Sequence, residues 1–305
     1  MLVKDKIIQI TPEKGFLYDG PQNEGYKMYN PYVERNIFER ILREICFRCP
    51  FLPHKIWYNK DLCKEDAEYV IVSDPLITVE YLKWIKNVFP KAQLNFLYGN
   101  MVGKAKHIFP YQIPEGWRIW TYDDYDSKKY GLRLFHENGY FKSYIKPKEK
   151  AEYDVMFVGK DKGRGEYLLQ LEEKMKALGL RTKFVIVADG KLAKRKSYYS
   201  KRMDYRAITE LITKSRAILN VAMEDQQGLT MRDLESMFFE VKLLTTNKNI
   251  IKTDVYSPDN VYILDGLNID DLPAFLDQEY VPLSREVKER HSYDHFIEVI
   301  ISDEK

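Results

Sequence analysis

The stretch 224–247, EDQQGLTMRDLESMFFEVKLLTTN, decides how the chain is read. Thr230 and Asp233, three apart, have the spacing of a capping box, so a helix should begin there with N–H groups of Met231, Arg232 and Asp233 open to an anion. Met231, Leu234, Met237, Phe238 and Val241 recur at helical spacing and predict a buried stripe. Gly228, Arg232, Glu235 and Phe239 fall on a neighbouring face that is expected to be free for binding. VKLLTT then reads as a buried strand ending at the polar Thr245, Thr246 and Asn247. Helix followed by buried strand is one unit of a parallel α/β sheet.

A glycine-containing loop, an arginine in the first helical turn and a carboxylate one turn further in suit a nucleoside diphosphate. Arg232 would face phosphate oxygens, and Glu235 would accept both hydroxyls of a ribose. A helix terminus gives about 0.3–1 kcal/mol to an exposed anion, against about 1.5–3 kcal/mol for a hydrogen bond to a charged group, so the side chains should matter more than the dipole. The competing reading is that Arg232 and Glu235 pair with each other on the helix surface.

With 305 residues the chain can form two domains of about 150 residues, each able to bury a core. Forty-eight basic residues against 46 acidic ones give a net charge of +2, which argues against nucleic acid as a partner. The start, MLVKDKIIQI, lacks a secretory leader, and no apolar run reaches the roughly 18 residues of a membrane span. A cytoplasmic protein is expected. Cys46, Cys49 and Cys63 with His54 invite a zinc reading, but Cys46 lies among Ile37, Ile41, Leu42 and Ile45, whose helical spacing predicts a core stripe.

In the first half, a strand over 6–10 leads into GFLYDGPQNEGYKMYNPY, which has loop composition. A helix over about 32–48, KIWY, EYVIVSD, a helix over about 78–88, QLNFLYGN and RIWTYDDYD follow. Short β-rich runs alternating with helices predict a parallel sheet whose strand ends, Asp74, Asn100 and Asp123, line a ligand crevice. Asp74 or Asp123 could take a proton from an attacking hydroxyl; alternatively each caps a turn or helix.

A lysine-rich linker at about 143–151 separates a first domain, 1–145, from a second, 151–290, with a C-terminal helix at 291–305 able to pack back on the first. YDVMFVG runs into GKDKGRG, where Lys160, Lys162 and Arg164 surround a turn suited to phosphate. It is neither a dinucleotide fingerprint nor a Walker loop. KLAKRKSYYSKR is either a solvated loop or a contact with an anionic acceptor or an inner membrane surface.

DVMFVGKDKGR, YRAITELITKSRAILNV and QQGLTMRDLESMFFEVKLLTTN resemble the C-terminal half of bacterial glycosyltransferases that build lipopolysaccharide core, capsule and exopolysaccharide. WTYDDYDSKKYGL is similar to a W-x-F-D-x-x-D-x-x-x-Y-G-L pattern in the same proteins. The resemblance implies a GT-B-like fold: two Rossmann-like domains facing a central cleft, with the acceptor on the first and a nucleotide sugar on the second. That group often carries two glutamates separated by seven residues, the second holding the donor ribose; Glu235 matches the second, and Gln227 occupies the first position. It further implies that Lys160 and Lys162 bind phosphate, with Arg164 as a substitute, alongside the Gln227, Gly228, Leu229 and Thr230 loop.

The expected activity is transfer of a sugar from a nucleoside diphosphate donor to a hydroxyl of a glycan or lipid-linked glycan. No cofactor and no metal are expected, since the DDYD run reads as a helix start rather than a cation motif. The alternatives are a nucleotide-sugar epimerase of the same fold and a non-catalytic nucleotide- or glycan-binding module.

Overall fold

The computed structural model describes residues 2–12, 15–33, 36–49, 51–74, 76–103, 108–135, 139–190, 196–222 and 228–302. The chain divides into two compact units, Met1–Ser143 with Tyr293–Lys305, and Tyr144–Ser292.

The first unit is built on β1 (Ile7–Ile10), β2 (Lys27–Tyr29), β3 (Tyr69–Ser73), β4 (Gln93–Tyr98), β5 (Trp117–Thr121) and β6 (Arg133–Leu134). They form one sheet in the order β2-β1-β3-β4-β5-β6, with every pair parallel. The central strands are apolar on both faces, as a sheet covered on both sides requires. Ile8, Ile10, Val70, Val72, Leu94 and Phe96 pack with Tyr81, Leu82 and Ile85 of α3 (Val79–Val88). The remaining helices are α1 (Phe16–Asn23), α2 (Ile37–Arg48), α4 (Asp124–Tyr130) and the last helix of the chain, α10 (Tyr293–Ile301).

Four expectations need correction here. The loop-like segment after β1 contains α1, with Pro21 inside it, and the short strand β2. KIWY is not a strand: His54–Trp57 is a 3-10 helix, and Tyr58 makes only an isolated antiparallel bridge with Tyr32. Helix α2 starts at Ile37, behind the Asn36 side chain that accepts from the N–H groups of Phe38 and Glu39. Its Ile37, Ile41, Leu42 and Ile45 stripe is exposed, while Arg43 and Cys46 are buried. Spacing identifies one face of the helix correctly but not the medium that face meets. The three cysteines are free, and His54 Nε2 lies 3.1 Å from the Cys49 carbonyl oxygen.

The second unit has β7 (Tyr153–Lys160), β8 (Thr182–Val187), β9 (Ser215–Asn220), β10 (Lys242–Thr245) and β11 (Val261–Ile263), again all parallel, in the order β11-β10-β9-β7-β8. Helices α5 (Gly165–Ala177), α6 (Tyr205–Thr213), α7 (Met231–Phe239), α8 (Leu272–Asp277) and α9 (Arg285–Arg290) connect and flank them. The core joins Val155, Phe157, Ala217, Leu219 and Leu244 to Leu168, Leu171 and Met175 of α5. The chain passes from β7 to β8 on one side and then returns to β9 on the other. That reversal of direction falls between β7 and β9, and sheets of this kind take ligands outside the carboxyl ends of the strands at such a point. Among the described residues no helix is long and apolar enough to cross a membrane.

Candidate functional site

Helix α7 begins as its sequence dictates. Thr230 Oγ1 accepts from the Arg232 N–H at 3.1 Å, and the Thr230 N–H donates to Asp233 Oδ2 at 2.6 Å, closing a capping box. Asn220, at the end of β9, holds both members, donating to Thr230 Oγ1 at 3.0 Å and Asp233 Oδ1 at 2.8 Å. The Asp233 N–H donates to the Thr230 carbonyl at 3.1 Å. The expected open anion site is therefore corrected: the Arg232 and Asp233 N–H groups are already engaged, and a carboxyl occupies the helix start. Burial raises the Asp233 pKa against hydrogen bonds from Thr230 and Asn220 that lower it.

The binding face expected on α7 is also corrected. Glu235 is 0 % exposed and Phe239 is buried. One Glu235 oxygen accepts from the Tyr205 hydroxyl at 2.8 Å, and the other is paired with Arg232. A charge taken out of water needs such partners, and here they are protein groups rather than ribose hydroxyls. Arg232 also donates to the Val158 carbonyl at 3.3 Å. Gly228 is exposed, with open space where a Cβ would stand, and its carbonyl lies 3.4 Å from Asn247 Nδ2. Leu229 and Thr230 are half-buried. Gln227 lies outside the described residues.

The second turn at this edge, between β7 and α5, is tight: Lys162 (φ 47°) and Gly163 (φ 82°) both adopt left-handed conformations. Its backbone is satisfied internally. Asp189 Oδ1 accepts from the Lys162 N–H at 2.8 Å, and Asp161 Oδ1 accepts from the Gly165 N–H at 2.8 Å. Asp161 Oδ2 takes hydrogen bonds from Tyr198 at 2.9 Å, Tyr199 at 2.6 Å and Lys196 at 3.3 Å. Burial pushes the Asp161 carboxyl up, but these donors outweigh it and hold the group well below the usual carboxylate range. Part of the basic KLAKRKSYYSKR segment thus turns inward, an arrangement that neither a solvated loop nor an anion contact implies; residues 191–195 lie outside the described residues.

Arg164 stands apart in this turn. Its guanidinium lies 5.6 Å from the Phe157 ring centre and donates to the Lys160 carbonyl at 3.1 Å. Among the described residues it forms no ion pair, and its Nε is buried without a hydrogen-bond partner. Burial lowers its pKa, and the fields of Asp161 and Asp189 only partly offset that. Lys160 and Lys162 are exposed. Pairing of β7 with β9 ends at Met156, and beyond it Arg232 and Arg164 take the carbonyls of Val158 and Lys160. Two guanidinium groups therefore bind carbonyls of one strand end, beside the reversal of the sheet order.

In the first unit, Asp74 is buried and its Oδ1 accepts from the Gly99 N–H at 2.7 Å. Asp123 caps α4 by accepting from the Asp126 N–H at 2.9 Å, and Asp126 accepts from the Val102 N–H at 2.6 Å. Gly131, at φ 66°, ends α4 in the left-handed region. The W-T-Y-D-D-Y-D motif thus serves a helix and its neighbouring loop, and Asn100 is exposed. His107 and His136 lie outside the described residues.

Sequence reasoning missed Asn220, Tyr205 and Asp161. Asn220 carried a signal, a polar residue closing an apolar strand; Asp161 was hidden among the lysines of its turn. Among the described residues no group of three or more His, Cys, Asp or Glu is placed to hold a metal ion.

No protein-family model and no curated protein sequence matches the chain. Among solved structures it is similar to AviGT4, a glycosyltransferase involved in avilamycin A biosynthesis, at 12% identity over 96% of this chain and 95% of that one, with a TM-score of 0.50. A UDP-GlcNAc 2-epimerase from Methanocaldococcus jannaschii, solved with UDP-GlcNAc and UDP, aligns at 13% identity over 93% and 97%, with a TM-score of 0.41. An alpha1,3-fucosyltransferase aligns at 9% identity over 97% and 81%, with a TM-score of 0.37. At such identities the likeness concerns the fold: two Rossmann-like parallel-sheet domains of GT-B type.

Proposed function

We propose that this chain is a glycosyltransferase, moving a hexosyl or deoxyhexosyl group from a nucleoside diphosphate sugar to a hydroxyl of a glycan or lipid-linked glycan. The setting proposed is bacterial surface-polysaccharide synthesis in the cytoplasm, at the inner face of the membrane. The observation that carries it is Arg164, a half-buried cation with no ion pair among the described residues, at the end of β7. A desolvated charge left without a carboxylate in contact is costly unless a ligand supplies the counter-charge. A diphosphate fits a guanidinium fork there, with Lys160 and Lys162 at the same turn, and the Gln227, Gly228, Leu229 and Thr230 loop is proposed as a second holder of the donor.

During transfer the bond from the anomeric carbon to the diphosphate oxygen breaks, leaving negative charge on the diphosphate. Arg164, Lys160 and Lys162 stabilise it, with Arg232 oriented by Glu235 behind them. The acceptor oxygen bonds to the anomeric carbon and its proton passes to a carboxylate, for which Asp74 and Asp123 are proposed. No divalent ion enters the scheme.

Calorimetry against UDP, GDP, dTDP and CMP identifies the nucleotide. Arg164→Ala should then weaken nucleoside diphosphate binding by about tenfold or more, the loss of one charge-assisted contact. Unchanged affinity would remove Arg164 from the site. Donor incubated alone must yield no isomer, which separates transfer from epimerisation, and saturable binding without product in the presence of acceptor would leave only a binding module. Loss of activity in EDTA, restored by manganese, contradicts the metal-free scheme.

A further inference from the structure

Lys242 opens β10 inside the apolar run VKLLTT, and it is only 3% exposed. Lysine is almost never buried to this degree unless an acid meets it. Here the ammonium donates to the backbone carbonyls of Asp259 at 2.7 Å and Glu279 at 3.4 Å, and it lies 4.3 Å from the Phe275 ring centre. An ammonium has three N–H donors, so one is left over. Among the described residues no carboxylate is in ion-pair contact with Lys242. Burial pushes its pKa down, the Asp259 carboxylate opposes this from beyond ion-pair range, and Arg216 and Lys148 add to the lowering.

Lys242 lines a cavity of about 660 Å³ in the second unit, together with Lys148, Arg216, Phe238, Phe239 and Tyr280. That is the size of a small-molecule site. The cavity gathers the amino ends of β9 and β10 with the last residues of α7 and α8, so it lies at the edge of the parallel sheet away from the β7 turn and the start of α7. Its charges do not cancel. Asp277 is paired with Arg216 at 2.8 Å, Glu240 with Lys288 at 2.5 Å, and Lys146 with Glu210 at 2.9 Å. Lys242 and Lys148 then stand against the exposed Glu279, a surplus of one positive charge among the lining residues.

We propose that this cavity is a second ligand site, separate from the donor turn, and that it takes a small organic monocarboxylate with an aromatic or branched apolar body. The carboxylate meets the remaining N–H of Lys242, Lys148 adds its field, and the body lies against Phe238, Phe239 and Tyr280. The charge surplus selects a single negative charge. A phosphate monoester carries about 1.5–2 negative charges at neutral pH and would bring the excess towards Glu279 and Asp277. A neutral alcohol of the same shape would leave the ammonium without a counter-charge. The donors point the same way: Arg216 directs its guanidinium at Asp154, Asp277 and the Leu276 carbonyl, so the site offers ammonium point charges in place of the fork that suits phosphate. A lysine that merely ties the Asp259 and Glu279 segments to β10 would line the same space and take no ligand.

The test is calorimetry of the full chain with naphthoate, naphthyl phosphate and naphthylmethanol, substituted at the same ring position. Naphthoate should bind saturably, more tightly than the phosphate ester and about tenfold or more tightly than the alcohol, the gain of one charge-assisted contact. Lys242→Met keeps the apolar stem of the side chain and should reduce naphthoate to the affinity of the alcohol, with a thermal melt showing that the variant is folded. Should that variant not fold, Lys148→Gln, at an exposed position, carries the test: it should weaken naphthoate by about two- to fivefold and leave the alcohol unchanged. Arg164→Ala should leave naphthoate affinity unchanged, and a nucleoside diphosphate should not displace it. The inference is overturned by wild type that does not bind naphthoate, by equal affinity for naphthoate and the alcohol, by tighter binding of the phosphate ester, or by naphthoate affinity that survives both lysine substitutions. Loss of naphthoate binding in Arg164→Ala overturns it too, since the anion then belongs to the donor turn. Nucleotide binding without naphthoate binding sinks this inference alone, and naphthoate binding without nucleotide binding sinks the donor site alone.

Discussion

Two turns at the carboxyl edge of the second sheet each bring an arginine to the end of β7, and their surroundings differ. Arg232 comes with its own acid: Glu235, one helical turn on, is buried against it and held by Tyr205. Among the described residues Arg164 comes with none, although Asp161 sits in the same turn and Asp189 in the loop after β8, because those carboxylates are committed to the backbone N–H groups of Gly165 and Lys162. The first arrangement is complete in the free protein. The second holds back one cation while satisfying everything around it, and an arriving anion gains most where the protein has supplied least. Charge alone therefore does not rank candidate residues; the partner each charge already has does so.

The largest effect that can break this comparison is expected at Glu235. Glu235→Ala removes the buried acid that faces Arg232 and the acceptor of the Tyr205 hydroxyl, so stability should fall by about 3–5 kcal/mol in denaturant unfolding. A loss under about 1 kcal/mol would mean that water reaches the carboxylate in solution, reopening its use as a ribose acceptor.

A smaller effect separates the turns by pH. The folded-state pKa of Asp161 lies below its unfolded value, so its contribution is fully present above about pH 4 and is lost as pH falls through the folded value. Asp161→Asn should lower stability at neutral pH and flatten the acid limb of the stability profile. An acid limb of undiminished steepness in the variant would show that Asp161 does not hold the turn. The geometry makes the turn intolerant of change elsewhere too, since a Cβ at Gly165 would stand 2.7 Å from Asp161 Oδ2.

The sheet-forming parts of the fold are legible because both-face burial leaves continuous apolar runs: YVIVS, QLNFLY, YDVMFVGK and SRAILN are all strands. The Thr230 capping box is legible for a similar reason, its chemistry being local. What fails is tertiary. Gly20 and Pro21 make α1 look like a loop, yet Gly20 is buried where a Cβ would meet the Phe141 ring. The α2 stripe reads as core because periodicity groups residues without saying whether protein or another phase covers them. At the site, Arg232, Glu235, Lys160 and Arg164 can all be picked out by type and position. The spacing also offers the pairing of Arg232 with Glu235, which forms, but not that the pair is buried or that Arg164 is left without an acid, because Tyr205 and Asp161 reach their partners only through folding.

The smallest expected effect tests the glycine of the first turn. Gly165 is enclosed, whereas Gly228 has nothing within 4 Å of the point where a methyl group would stand and needs no left-handed backbone. Gly228→Ala should therefore leave stability within about 0.5 kcal/mol of wild type. Because the folded state tolerates the added methyl, any loss of nucleoside diphosphate affinity in this variant reports how closely the ligand approaches the backbone there. With Arg164 as the dominant contact, that loss should be smaller than the one produced by Arg164→Ala. An equal loss would place the diphosphate against the Gly228 loop and make the two turns joint holders of the donor, while a destabilised variant would give Gly228 a role in the fold that its open surroundings do not suggest.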